Sequence, residues 1–269
     1  MGTVAAGVAG GRAGGRGFEL ARLRELVTHL AGREVGSLHR FTLLGWAWPL
    51  VRQLAQLGVL VVVFSRVIHL GVDHFVPFVF SGLIAWNWFS TGVANGTSSL
   101  LDRRHLVFQP RFPTLALPLV AVAVPFVDLL LALPVLGLMM AVDGDVRWSI
   151  LFMPVLVLIQ LVLMAGVAWI TAAATVFFRD VRHVVLVGVT MLFYFTPVFY
   201  DLDTLSPHYR SLLRLNPLTT IVDGYHSIVL DGRLPAAGWL AAVALLSVVL
   251  AAVGLVFFRR LSGGFVDEL

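Results

Sequence analysis

The chain has 269 residues, of which 59% are apolar and only 13% charged, where a soluble domain carries roughly a quarter. An ordinary cytosolic enzyme is excluded, and apolar runs of about twenty residues place the chain in a membrane as helices. All 19 basic residues are arginine, they outnumber 15 acidic residues to give a net charge of +4, and cysteine is absent; a phosphate-binding loop built on lysine, Schiff-base chemistry, disulfides and thiolate metal sites are thereby ruled out.

Residues 1–17 are rich in glycine and alanine, carry Arg12 and Arg16, and lack a continuous apolar run. They read as a flexible cytoplasmic tail and not as a cleaved signal peptide. Residues 18–40 follow, where Leu20, Leu23, Val27 and Leu30 share one helical face and Glu19, Arg22, Glu25 and His29 lie elsewhere around it. That pattern predicts an amphipathic helix, lying in the membrane interface or packed on a partner. Residues 41–269 then hold six predicted spans: Thr42–Ile68, Phe75–Thr97, Thr114–Val142, Ile150–Phe177, His183–Tyr200 and Ala236–Phe258. The fold class expected is an all-α integral membrane protein with six transmembrane helices. Between the last two spans, Asp201 to Pro235 carries apolar pieces too short to cross, Leu212 to Leu215 and Ile221 to Leu230. Short re-entrant outer helices are expected there, because irregular backbone exposed to lipid is not tolerated.

Arginine placement orients the spans. With the N-terminus inside, thirteen arginines fall on the cytoplasmic side (Arg12, Arg16, Arg22, Arg24, Arg33, Arg40, Arg103, Arg104, Arg111, Arg179, Arg182, Arg259 and Arg260). Only Arg147, Arg210, Arg214 and Arg233 fall outside, so both termini are expected in the cytoplasm.

Few polar groups interrupt the spans. Asp128 stands at the middle of the third, where a carboxylate is costly unless paired, protonated or facing a polar cavity. A structural helix–helix bond and a place on a polar pathway both fit it. Arg52 shares a face with Gln56 near the inner end of the first span, and either snorkels to the headgroups or lines a pathway. Trp86, Trp88 and Phe89, then Phe193, Tyr194, Phe195, Phe199 and Tyr200, form two aromatic clusters. Interfacial belts explain such clusters, and so does a pore whose rings stack on the C–H faces of sugars. Leu261-Ser262-Gly263-Gly264 spells the start of an ATPase signature but follows the last span, and Asn95-Gly96-Thr97 falls at the cytoplasmic end of a span. His69, Asp73 and His74 lack further ligands, so no metal site is expected; no grouping suggests catalysis, and nothing points to nucleic acid.

From about Leu44 to Leu269 the chain resembles the membrane subunits of ABC-2-type exporters, in the branch that exports polysaccharides and polyol phosphates (O-antigen, teichoic-acid and galactan exporters). The resemblance is carried by Leu44-Gly45 with Trp48, by Phe64-Ser65-Arg66, and by FVFSGLIAWNWFS followed by Thr97-Ser98-Ser99-Leu100. It continues through Leu106-Val107, Arg111-Phe112-Pro113, Leu117-Pro118-Leu119, Val127-Asp128, TVFFRDVRHV and TPVFY. Leu215-Asn216-Pro217-Leu218, Asp231-Gly232-Arg233-Leu234-Pro235 and the tail FFRRLSGGFVDEL complete it. Three places depart from the family: Arg52-Gln53 where Gln-Pro is frequent, Phe108 and Gln109 where lysines are frequent, and Tyr225-His226 where an arginine is common.

The resemblance implies a homodimer in the bacterial cytoplasmic membrane, with two copies of a separate ABC ATPase that binds ATP and magnesium; this chain itself would be no enzyme and hold no cofactor. It implies a coupling loop from Leu100 to Gln109, with Asp102, Arg103, Arg104 and His105 on it. Arg179, Asp180, His183 and the helix around Glu19 to Leu30 would be secondary contacts. A lipid-linked glycan would pass Arg52, Trp86, Trp88, Asp128, Phe193, Tyr194, Phe199 and Tyr200, among membrane lipids. A drug or lipid exporter of the wider ABC-2 superfamily shares this architecture and stays open as the alternative.

Overall fold

The computed structural model describes residues 25, 27–34, 45–64, 74–110, 112–142 and 148–269. The tail 1–17, most of the amphipathic face, Arg111, Asp143 to Arg147, His69 and Asp73 lie outside them. Among the described residues every regular element is helical. In chain order these are α1 (27–34), α2 (Trp48–Val61), α3 (Phe75–Asp102), α4 (Arg104–Val107), α5 (Ala116–Ala123) and α6 (Phe126–Val142). Then come α7 (Met153–Phe177), α8 (Val181–Tyr194), α9 (Pro207–Leu213), α10 (Pro217–His226), α11 (Ala237–Leu261) and α12 (Phe265–Glu268).

Among the described residues, three helical stretches are long and apolar enough to cross a membrane: Ala116–Val142, Trp148–Phe177 and Ala237–Glu268. Trp48–Phe64 and Val181–Tyr194 are shorter apolar helices. The hub is none of these. It is α3, whose 28 residues include serines, threonines and two asparagines and are buried along most of their length from Pro77 to Leu100. Its polar side chains turn back on helix carbonyls: Ser81 donates to Phe78 O at 2.8 Å, Thr97 to Val93 O at 2.8 Å and Ser99 to Gly96 O at 2.7 Å. A hydroxyl satisfied this way costs little in an apolar interior.

Small residues let the helices close on that hub. Gly96 faces Ala168 of α7, where a Cβ would stand 2.7 Å from the alanine methyl. Gly166 and Gly254 carry α7 against α11: a Cβ on Gly254 would lie 2.5 Å from the Gly166 carbonyl, and one on Gly166 would lie 2.6 Å from the Ala251 amide nitrogen. This is the small-residue packing that joins helices in lipid, where hydrophobic burial contributes nothing between them. Two polar contacts add direction: Gln160 donates to the Ala85 carbonyl at 2.8 Å, and the Thr97 and Thr171 hydroxyls are bonded at 2.9 Å.

The third predicted span is a broken one. α5 ends at Ala123, Pro125 supplies the break, and a new helix starts at Phe126. Asp128 therefore sits in the first turn of α6, not in mid-helix, where the helix dipole favours a negative charge. The fifth predicted span also ends early, at Tyr194, ahead of the turn at Thr196 and Pro197. The segment from Asp201 to Pro235 folds as the short helices α9 and α10, as its sequence suggests. A π-helical turn, Ser227–Asp231, follows α10 and is closed by Gly232 at φ 64, a conformation glycine adopts without strain.

Candidate functional site

At one end of the bundle, α4 and the turns around it form a projecting loop. Two apolar side chains anchor it: Leu100 and Val107 are buried in a cluster with Leu117, Ala172, Val176, Phe258 and Phe265. The last of these comes from the C-terminal helix α12, whose ring packs edge-on to Phe258 at 5.1 Å. The turn Ser262–Gly264 merely links α11 to α12, so the signature-like tetrapeptide is structural. Between the anchors, Asp102, Arg104, His105, Phe108 and Gln109 are exposed, and Arg103 is half-buried and paired with Glu34 of α1. Arg179 and Asp180 are exposed on the turn between α7 and α8, beside Phe177, which packs on the same cluster. Leu100 alone among the predicted coupling residues points inward; it holds the loop and presents nothing to a partner.

The second constellation is a row of rings. Phe89 and Trp86 of α3 stand 5.8 Å apart, Trp86 meets Phe193 of α8 edge-on at 5.3 Å, and Phe193 reaches Phe199 at 5.7 Å. Phe199 then stacks on Phe64 at 4.8 Å, while Tyr194 and Tyr200 flank the row at 5.5 Å from Phe193 and 5.3 Å from Phe199. Five predicted pathway residues are thus brought together, and Phe64 joins them. Trp88 is not. Two residues after Trp86, it faces the other way, donates its indole N–H to the Val122 carbonyl at 3.2 Å and packs on Phe126.

Arg52 is exposed on α2, its neighbour Gln53 is buried, and Gln56 accepts a bond from Asn87 of α3 at 3.3 Å. Asp128, half-buried in the first turn of α6, belongs to a different helix from every member of the aromatic row. Gln160, buried between α7 and α3, escaped sequence reasoning because a lone glutamine in an apolar run gives no periodic signal.

The segment from Asp201 to Pro235 is locked by polar contacts. Asn216 accepts from the Leu218 amide at 3.0 Å, capping α10, and donates to Thr196 at 3.0 Å. Arg210 pairs with Asp203 at 3.0 Å and donates to the Leu202 carbonyl at 3.1 Å. His226 stacks on Phe78 at 3.9 Å, and Gly82 leaves the room its Nε2 occupies. Burial holds the His226 imidazole neutral, with its pKa down to about 3, the hydrogen bond to the Phe78 backbone acting the other way. Burial raises the Asp223 carboxyl to about 6; Arg214 opposes the shift, and Asp203, Asp201 and Asp231 add to it.

Long apolar helices that close on one another through small residues, with a charged loop at one end, define an integral membrane protein of helical-bundle type. The sequence of residues 25–230 matches the ABC-2 type transporter family, and the chain belongs to that family. It is 38% identical over 235 residues to the O-antigen export system permease protein RfbA of Myxococcus xanthus, covering 86% of this chain and 90% of that protein. It is also 23% identical over 255 residues to a protein of the same name from Klebsiella pneumoniae, covering 94% of this chain and 98% of the relative. The chain is a multi-pass membrane protein.

Proposed function

We propose that this chain is the membrane-channel subunit of an ATP-driven exporter that moves a lipid-linked polysaccharide or polyol phosphate across the bacterial cytoplasmic membrane. The similarity to RfbA of Myxococcus xanthus over nearly the full length of both chains carries this reading. The row from Phe89 to Phe64 supports it, because stacked rings suit the C–H faces of sugars passing between α2, α3 and α8.

The working unit is a homodimer with two copies of a separate ATPase, which binds ATP and magnesium. Six spans cross the membrane: α2, α3, α5 with α6, α7, α8 and α11, both termini inside. Within this topology no residue of α8 is buried, and Val184, Val187 and Met191 are exposed, so α8 has side chains to give to a second copy. The exposed side chains of Asp102, Arg104, His105 and Gln109, with Arg179 and Asp180, form the face offered to the ATPase. Closure of the ATPase pair pushes the loop, and its buried anchors Leu100 and Val107 pass the push to α3, α5 and α7. Arg52 meets the phosphate-bearing head at the inner leaflet, and the helices α9 and α10 close the exit. Asp128 sits off the aromatic row and stabilises the break between α5 and α6.

The reading is tested by depletion in the native organism followed by lipid extraction. A build-up of polyprenyl-linked glycan is expected, and sensitisation to toxins without such a build-up would move the chain to a drug or lipid efflux role. Purification from native membranes should bring an ABC ATPase along; its absence would sink the exporter reading.

A further inference from the structure

Away from the aromatic row and the loop, a groove of about 430 Å³ runs between α6 and α7. Leu129, Leu133 and Leu136 form one wall and Met153, Val157 and Leu161 the other, with every lining side chain apolar. Ligand sites of this size ordinarily hold a few polar groups that fix orientation. This one holds none, which leaves hydrocarbon as the chemistry it matches.

Its dimensions narrow the occupant. The groove follows α6 from Phe126 to Leu136 and, from Ile150 to Leu161, the turn before α7 and its first residues, which is about 15 Å of helix. That is half of the roughly 30 Å hydrocarbon core, the depth of one leaflet. Its rim, at Leu130 and Leu158, is exposed and continuous with the exposed apolar sides of the same helices at Leu138 and Val155, the surface a multi-pass protein turns to lipid. Solid side-chain packing fills interiors elsewhere; here a space of this size stays open to the bilayer.

We infer that this groove is a binding site for one acyl chain of a phospholipid from the outer leaflet. The leaflet rests on the orientation given above, in which Ile150 and Leu136 mark the outer end. A long polyprenyl tail overruns a groove one leaflet deep, so the substrate lipid is not the occupant. The bound chain wedges α6 from α7 and belongs to the membrane part whether or not substrate is present.

Native mass spectrometry of the full-length protein, purified in mild detergent, reads the occupant directly. Wild type should carry one phospholipid mass per chain, and so should Leu245→Trp, a substitution at an exposed position on α11. Leu133→Trp, which fills the groove, should lose it. Should that variant fail to give a monodisperse protein, Leu130→Trp at the rim should show the same loss. Equal phospholipid retention in wild type and both groove variants, no retained lipid in wild type, or a polyprenyl lipid as the retained mass would each overturn the inference. The leaflet is decided separately. With no native cysteine, Asp203→Cys should react with a membrane-impermeant maleimide on intact cells; reaction only after lysis would overturn the orientation and the outer-leaflet assignment, while the mass measurement alone decides the groove.

Discussion

The helices α3 and α8 belong to one bundle and live in opposite surroundings. α3 carries hydroxyls and two asparagines, yet most of it is buried from Pro77 to Leu100, and α2, α5, α6, α7 and α8 pack on it while α11 packs on α7. α8 carries Arg182, His183 and Thr190 among apolar side chains, and none of its 14 residues is buried. In water this pairing of character and place would be inverted. In a bilayer a helix can turn its apolar side chains outward to lipid, whereas a helix with small and polar residues is one that others can approach closely and bond to. The difference marks α3 as the frame and α8 as the surface left for something else to cover.

The sharpest way to break this contrast is to put side chains where backbones meet. Gly254→Leu would drive its branch into the Gly166 carbonyl, 2.5 Å from the first added carbon. Nothing flexible stands in the way to move aside, so the expected outcome is loss of folded protein, read by size-exclusion chromatography after detergent extraction. Gly188→Leu on α8 meets nothing within 4 Å and should leave the monomer's stability unchanged. If both variants fold equally well, the division into frame and surface fails.

The aromatic row offers the next test, because it crosses from one helix to the other. Trp86→Ala on α3 removes a buried ring and should cost about 3 kcal/mol, seen as a lowered Tm. Tyr194→Ala, at a position 62% exposed on α8, should leave the Tm within error. Both should lower export of the glycan lipid; normal export by Tyr194→Ala would remove α8 from the pathway.

Smaller effects sharpen the two ends of the frame. Arg103→Ala breaks the pair with Glu34, and partly exposed pairs contribute at most about 1 kcal/mol. Stability should barely change, while ATPase stimulation by this subunit should fall, and exchanging the two charges in Arg103→Glu with Glu34→Arg should restore it. Unchanged stimulation in the single variant would separate α1 from coupling. The smallest expected effect is at Asp223. Its carboxyl is raised in the fold to about 6 from an ordinary 3.8, so the folded state disfavours the charge, and the fold gains stability as pH falls through that interval. Asp223→Asn should therefore raise the Tm above pH 6 and lose its advantage below about pH 4. A Tm difference that does not change with pH would show that Asp223 keeps its ordinary titration.

Much of this was legible in the residues. The positions of the apolar stretches, the short helices between Asp201 and Pro235 and five of the ring positions followed from length, composition and position, because those signals depend on hydropathy alone. The hub was not, for the same reason: α3 is less apolar than α5, α6, α7 and α11 while being the most buried of them. Gly92 and Gly96 stand at the spacing that lets helices cross closely, yet that spacing does not say which helix arrives, and here it is α7 at Ala168. The break at Pro125 was visible as a proline, but whether it kinks or divides a helix depends on the partners around it. Trp88 could be told from Trp86 only by knowing which face of α3 looks toward α8.

The meeting of Gly166 with Gly254 has a mechanical corollary. Contacts through side chains have play in them, since a rotamer can change and let one helix slide past another. A crossing made of main chain has none. α7 and α11 therefore move as a single stiff lever or not at all, joined at their ends to the loop by Val176, Phe258 and Phe265. Any opening stroke has to be taken up by helices outside that lever, and α2 and α8, whose outward faces nothing in this chain grips, are the hinge leaves.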